Sequence, residues 1–204
     1  MTISYDTELA DFFVKKMQVL LQQHCGREYK LSLTSLLTGS DPKFMLYLMY
    51  HDTEVSHIEL EIGFEPLIFM HSKTKKEYEG KHFNTFLRAV IIMVAYLLRF
   101  SYNGGRSFKE KYIQIGSNPS NWVSVWLLYS YFGFSVVDYE KDLWDNILPT
   151  PVPSQKSDRE RIKTNLIKYS TKGLPWPMWT LDLKTLPFQK YCELCKTLLQ
   201  HMDC

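Results

Sequence analysis

Between Tyr29 and Ser72 the apolar residues recur with a period of two, in four short runs separated by turns. The runs are Tyr29–Leu37, Lys43–His51, Val55–Phe64 and Pro66–Ser72. The breaks between them are Gly39-Ser40-Asp41-Pro42, Asp52-Thr53 and Glu65-Pro66. Alternation over runs of this length, bounded by glycine, proline and aspartate, predicts β-strands. A parallel crossover needs a dozen or more residues, so links this short join antiparallel neighbours. In the third run His57, Glu59 and Glu61 share one face, and Ile58, Leu60 and Ile62 share the other.

On either side of this meander the period becomes helical. Leu9, Phe12, Phe13, Met17, Leu20 and Leu21 predict an N-terminal amphipathic helix, with Asp6 or Thr7 as its cap and Gly26 beyond its end. After the meander a polar loop, Lys73 to Asn84, leads into an apolar helix from about Thr85 to Arg99, and Asn103-Gly104-Gly105 then breaks the chain. Lys111–Gly116 predicts a strand. A helix follows, with Ser117, Asn118 or Ser120 at its start and Gly133 at its stop, and Phe134–Tyr139 is a further strand. This order implies an α/β fold, a mixed and mostly antiparallel sheet flanked by helices.

Pro149–Ser157 has the composition of a linker, and Ser157 with Glu160 forms a capping-box pattern for a basic helix ending near Gly173. Pro175-Trp176-Pro177-Met178-Trp179 reads as an extended connector. Pro187 suits the first turn of a last helix whose apolar face is Phe188, Tyr191, Cys192, Cys195, Leu198, Leu199 and Met202. The expected organisation is therefore a domain over 1–148, with a linker and helical C-terminal extension over 149–204 packed on it. Two helices bury too little surface to stand alone. The alternative host for the apolar face is a second copy of the chain, which would make a homodimer.

Composition narrows the function. The chain has 204 residues, 30 of them aromatic, and a net charge of only +2. Residues 1–140 carry 14 basic and 15 acidic side chains, and 141–204 carry 10 and 7. Neither part has the excess that phosphate-backbone binding requires, so nucleic acid is not an expected partner. The longest apolar run, Ala89 to Leu98, is ten residues. A bilayer needs roughly 20, so no membrane partner is expected either. The N-terminus lacks a basic region followed by an apolar stretch. Cysteines at 25, 192, 195 and 204 do not form a framework spread over the chain, which predicts a reducing, intracellular and cytoplasmic setting. The spacing Cys192-x-x-Cys195-x5-His201-x-x-Cys204 suggests zinc, but nine helical residues put Cys192 and His201 about 180° apart. No metal is expected there.

The loop over 73–84 is where chemistry is expected. A strand feeding a glycine-containing loop and then a helix N-terminus presents free N–H groups and a favourable dipole to a phosphate. Glu77-Tyr78-Glu79-Gly80-Lys81-His82-Phe83-Asn84, followed by Leu87 and Arg88, resembles the cofactor loop of the GCN5-related N-acetyltransferase superfamily, Gln/Arg-x-x-Gly-x-Gly/Ala. Tyr129-Ser130-Tyr131-Phe132-Gly133-Phe134, preceded by Asn118-Pro119-Ser120-Asn121, resembles a second feature of that family, and the likeness covers about 29–140. Glu77, His82 and Asn84 depart from the pattern, whereas Gly80 keeps its place.

The resemblance implies that acetyl-CoA is the cosubstrate, held by Gly80, Lys81, His82, Phe83, Asn84 and Asn121. It also implies acetyl transfer to an amine acceptor, a small molecule or a protein. Tyr129 matches the family's acid for the departing thiolate. His71 and Glu61 are the preferred bases, with Glu59 and His57 on the same strand face. The alternative is a protein of the same fold that binds a partner or senses acyl-CoA without catalysis.

Overall fold

The computed structural model describes residues 4–36, 42–62, 67–101, 106–107, 112–116, 121–136, 141–149, 151–170 and 178–204. In chain order the elements are β1 (Ser4–Asp6), α1 (Glu8–Cys25), β2 (Tyr29–Leu36), β3 (Lys43–Tyr50), β4 (Thr53–Ile62), β5 (Leu67–Thr74), α2 (Phe83–Leu97), β6 (Arg99–Ser101) and β7 (Arg106–Ser107). There follow β8 (Tyr112–Gly116), α3 (Trp122–Ser130), β9 (Ser135–Val136), α4 (Lys141–Ile147), α5 (Lys156–Ser170), β10 (Met178–Asp182) and α6 (Phe188–Gln200). The chain forms two units, one built from 1–113 with 182–204 and the other from 114–181.

In the first unit β2, β3, β4 and β5 form an antiparallel meander, with Tyr29 opposite Tyr50, Lys43 opposite Glu61 and Glu59 opposite His71. The four strands lie within two residues of their expected bounds, because each has one buried face. Leu31, Phe44, Leu46, Leu48, Ile58, Leu60, Ile68 and Met70 are buried, and α1 and α2 cover that side. Helix α1 contributes Ala10, Phe13, Val14, Met17 and Leu21. At its start the Asp6 carboxylate accepts from the Glu8 N–H at 3.0 Å, whereas the Thr7 side chain does not cap the helix, its hydroxyl donating instead to Asp11 at 2.7 Å.

The apolar run from Ala89 to Ala95 is buried on every side of α2, as a helix between two layers must be. The sheet covers one side of it and α6 the other, through Tyr191, Cys195, Leu198 and Leu199. The last helix therefore packs on the meander unit through part of the apolar face seen in the sequence, while Phe188 stays exposed and Cys192 half-buried. No helix among the described residues is long and apolar enough to cross a membrane.

In the second unit α3 and α4 both pack on α5. Polar α5 attaches through buried Ile162 and Leu166, and its Arg159 and Lys163 lie over the Trp126 and Trp122 rings at 5.7 and 5.8 Å. Trp144 and Trp179, both fully buried, pack with ring centroids 6.2 Å apart and planes tilted by 58°. Gly133 ends α3 with φ +68°, and the following Phe134 N–H donates to Leu128 O at 2.9 Å.

Several expectations need correction. Helix α2 begins at Phe83, two residues early, and α5 begins at Lys156, so Ser157 lies inside it and does not cap it. Met178–Asp182 is a strand paired with β9, where the sequence suggested a connector. The small sheet β1-β6-β7 and the short helix α4 carry too few residues to show a period. Gly39 to Asp41, Glu65-Pro66, Asn103 to Gly105, Ser117 to Ser120 and Trp176 lie outside the described residues.

Candidate functional site

The loop at 75–82 is set by the strands that feed it. Leu48 pairs with Ser56 and Met49 with Glu54, so Val55 is an extra residue that bulges β4. The Val55 carbonyl then accepts from the Lys75 N–H at 3.0 Å. Buried Ser56 bonds the Lys73 carbonyl at 3.2 Å and the Thr74 hydroxyl at 2.8 Å. Three hydrogen bonds thus fix the point where β5 ends. Ser56→Ala removes the buried hydroxyl and is expected to cost about 1 kcal/mol. Denaturant titration checks the stability, and faster amide exchange at Thr74 and Lys75 reports the loosened exit.

Beyond β5 a single 3-10 turn, Lys76–Tyr78, leads to Gly80, whose φ is +82° and whose Cβ direction is open for 4 Å. His82 follows with φ +64° as the residue before α2, and no side chain caps the helix there. The first intrahelical bond runs from Phe86 N–H to His82 O at 3.0 Å, so the N–H groups of Phe83, Asn84 and Thr85 have no carbonyl one turn behind them. Phe83 is buried between the Tyr29 and Tyr78 rings, at 6.0 and 6.1 Å, and this anchors the helix start. Lysines 73, 75, 76 and 81 outnumber Glu77 and Glu79 in this stretch.

Arg88 lies one turn into α2 and is buried. Its Nη2 donates to Ser72 Oγ and Asn84 Oδ1, each at 3.4 Å. Burial lowers the guanidinium to about 10, so it stays protonated at neutral pH and adds a positive charge behind the loop. In the sequence Arg88 stands only at the end of the loop pattern. The signal for it was a single charge within an otherwise apolar run, because a buried cation has a desolvation penalty that bonding must offset.

The sheet brings His71 and Glu61 onto the face opposite the buried one. His71, which is exposed, sits opposite Glu59, one register step from Glu61. Lys43 holds both carboxylates, at 3.0 Å from Glu59 Oε1 and 3.0 Å from Glu61 Oε2. Those hydrogen bonds, Glu61 first and then Glu59, raise the Lys43 ammonium above the usual lysine range. His57 Nδ1 lies 2.8 Å from Glu54. Glu61 is therefore an ion-paired carboxylate.

Tyr129 and Asn121 belong to the second unit. Asn121 caps α3, its Oδ1 accepting from the Ser124 N–H at 3.1 Å. Tyr129 is buried, and its hydroxyl donates to the Pro149 carbonyl. Burial raises the phenol above its ordinary range, with Arg159 pulling the other way, so it is a proton donor at neutral pH. Tyr129→Phe is expected to lower stability by about 1 kcal/mol through the lost hydrogen bond. Denaturant titration of the variant checks this.

Cys25, the last residue of α1, is disulfide-bonded to Cys204, a pair the sequence did not single out. Cys195 is buried in the α6 interface and its thiol is pushed up by burial, and Cys192 is half-buried. A bridge across 179 positions leaves no spacing signal in a sequence. No family model matches the chain, and no curated protein matches its sequence.

Proposed function

We propose that the protein is an acyl-CoA-dependent N-acetyltransferase of the GCN5-related kind, passing an acetyl group from acetyl-CoA to an amine. The observation that carries this reading is the β5–α2 junction. It combines a positive-φ glycine with open space at its Cβ, a helix start without a side-chain cap, and buried Arg88 behind it. These features suit a pyrophosphate, for which backbone N–H groups and the helix dipole are the natural ligands. Gly80, Lys81, His82, Phe83 and Asn84 would hold it. Acetyl-CoA supplies the activated thioester, and the remaining chemistry falls to the protein.

The acceptor amine must lose a proton before attack, and His71, exposed on the strand that feeds the loop, is the better placed base. Glu61, held by Lys43, would serve to position a cationic acceptor. Tyr129, on the second unit, is the residue that the family resemblance matches to the acid for a leaving thiolate.

A second reading rests on specific observations. The Tyr129 hydroxyl already donates to Pro149, and the Glu59 and Glu61 carboxylates are already paired with Lys43. A protein that keeps the fold and binds acyl-CoA or a partner without turnover fits those engagements. Calorimetry with acetyl-CoA and with desulfo-CoA, alongside thiol release with a panel of amines, separates the readings. Binding with amine-dependent thiol release is the expected result. Binding without release supports the sensor, and no binding at millimolar ligand rejects both cofactor readings.

A further inference from the structure

The sulfurs of Cys25 and Cys204 and a ring nitrogen of His24 lie within 4.8 Å of one another at the end of α1. We propose that these three residues form a zinc site in the reduced protein, which the disulfide replaces on oxidation. Two thiolates and an imidazole are the donor set that zinc prefers over magnesium or calcium. With bonds of about 2.3 Å to sulfur and about 2.0–2.1 Å to nitrogen, a tetrahedral ion needs its ligands about 3.5–3.8 Å apart. The three donor atoms lie within 4.8 Å of one another, and reduction frees the two sulfurs to separate to that spacing.

Three further features favour a cation here. The C-terminal ends of α1 and α6, at Cys25 and Gln200, both precede the cluster, and each carries the negative end of a helix dipole. The segment bearing Cys204 is held independently of the sulfur bond. Met202 is buried, its N–H donates to Leu199 O at 3.2 Å, and the Asp203 N–H donates to Lys81 O at 3.4 Å. Cys204 therefore stays beside Cys25 after reduction, and ligand preorganisation survives. Finally, a groove of about 310 Å³, lined by Leu20, Gln23, His24, Lys196, Leu199 and Gln200, opens next to His24. His24 and Cys204 are exposed, so water takes the fourth position.

The two states interconvert by balanced steps. A dithiol adds two electrons and two protons to the Cys25–Cys204 bond, giving two thiols while it becomes a disulfide itself. Binding Zn²⁺ then releases those two protons and leaves two coordinated thiolates. Because Asp203 bonds the loop carbonyl of Lys81, either state holds the terminal segment against the loop before α2.

The test uses the full chain, produced with supplemented zinc in a reducing medium and purified without oxygen. Metal analysis is expected to give one zinc per chain, and Co²⁺ in its place should show thiolate-to-metal charge transfer. Protein oxidised to the disulfide should carry none. His24→Ala keeps both sulfurs and the disulfide, and is expected to bind zinc at least tenfold more weakly. Cys204→Ser should abolish stoichiometric binding, whereas Cys192→Ser should leave it unchanged. Zinc-free protein from the reducing preparation, or equal zinc affinity in His24→Ala, Cys204→Ser and the parent, would overturn the proposal. A zinc content lost in Cys192→Ser would do the same, since it would move the site to α6.

Discussion

Breaking the Cys25–Cys204 bond is expected to lower the unfolding free energy by about 5 kcal/mol. The bond closes a loop with a sequence separation of 179, and the chain-entropy relation gives that figure for a loop of this length. The estimate is insensitive to how the chain unfolds. If the second unit, Gln114–Leu181, stays folded inside the loop, the flexible length shortens, but the logarithm changes the result by only about 0.4 kcal/mol. At roughly 2–4 °C per kcal/mol for a chain of this size, the melting transition should fall by about 10–20 °C. Thermal melts of oxidised protein, reduced metal-free protein and Cys204→Ser check this. The loss should appear in the transition of the first unit, where α1 and α6 both reside. An unchanged transition would mean that the bridge adds no net constraint on the unfolded chain.

The second large effect concerns the loop. Gly80→Glu is expected to weaken acetyl-CoA binding at least 100-fold, equivalent to about 2.7 kcal/mol. Two causes add. A side chain at φ +82° strains the backbone by about 1–2 kcal/mol, and a carboxylate stands where the pyrophosphate is proposed to lie. A clash with the protein is not a third cause, because a Cβ at Gly80 meets nothing within 4 Å. The variant should therefore remain folded, with a stability loss limited to the strain. Gly80→Asn separates the causes, since asparagine tolerates left-handed backbone and adds no charge. Calorimetric titration of both variants should show a small loss for asparagine and a large one for glutamate. Parental affinity in a folded Gly80→Glu protein would remove the loop from the cofactor site.

The meander was legible because alternation is a local property. Each of β2 to β5 buries one face, and Ile58, Leu60 and Ile62 announce that face within a single strand. The same holds for α2, whose unbroken apolar run can only be an interior helix, and for α6, whose stripe is its contact with α2. The Gly133 stop and the Asp6 bond at the start of α1 are equally local, resting on backbone geometry and a bond to a near neighbour. Of the candidate site, the sequence marked the loop, Gly80 and the helix that follows.

What the tertiary structure decided lies elsewhere. The Val55 bulge and the Ser56 bonds that end β5 depend on partners across strands, and no spacing within β4 encodes them. Arg88 is a buried cation only because α6 and the sheet enclose α2, and Glu61 is an ion pair only because register sets Lys43 opposite it. The pairing of β1 with β6, and of Cys25 with Cys204, joins segments far apart in the chain. Periodicity reports which face of an element is buried. The partner that buries it is chosen by how the whole chain closes, and that choice leaves no trace in local spacing.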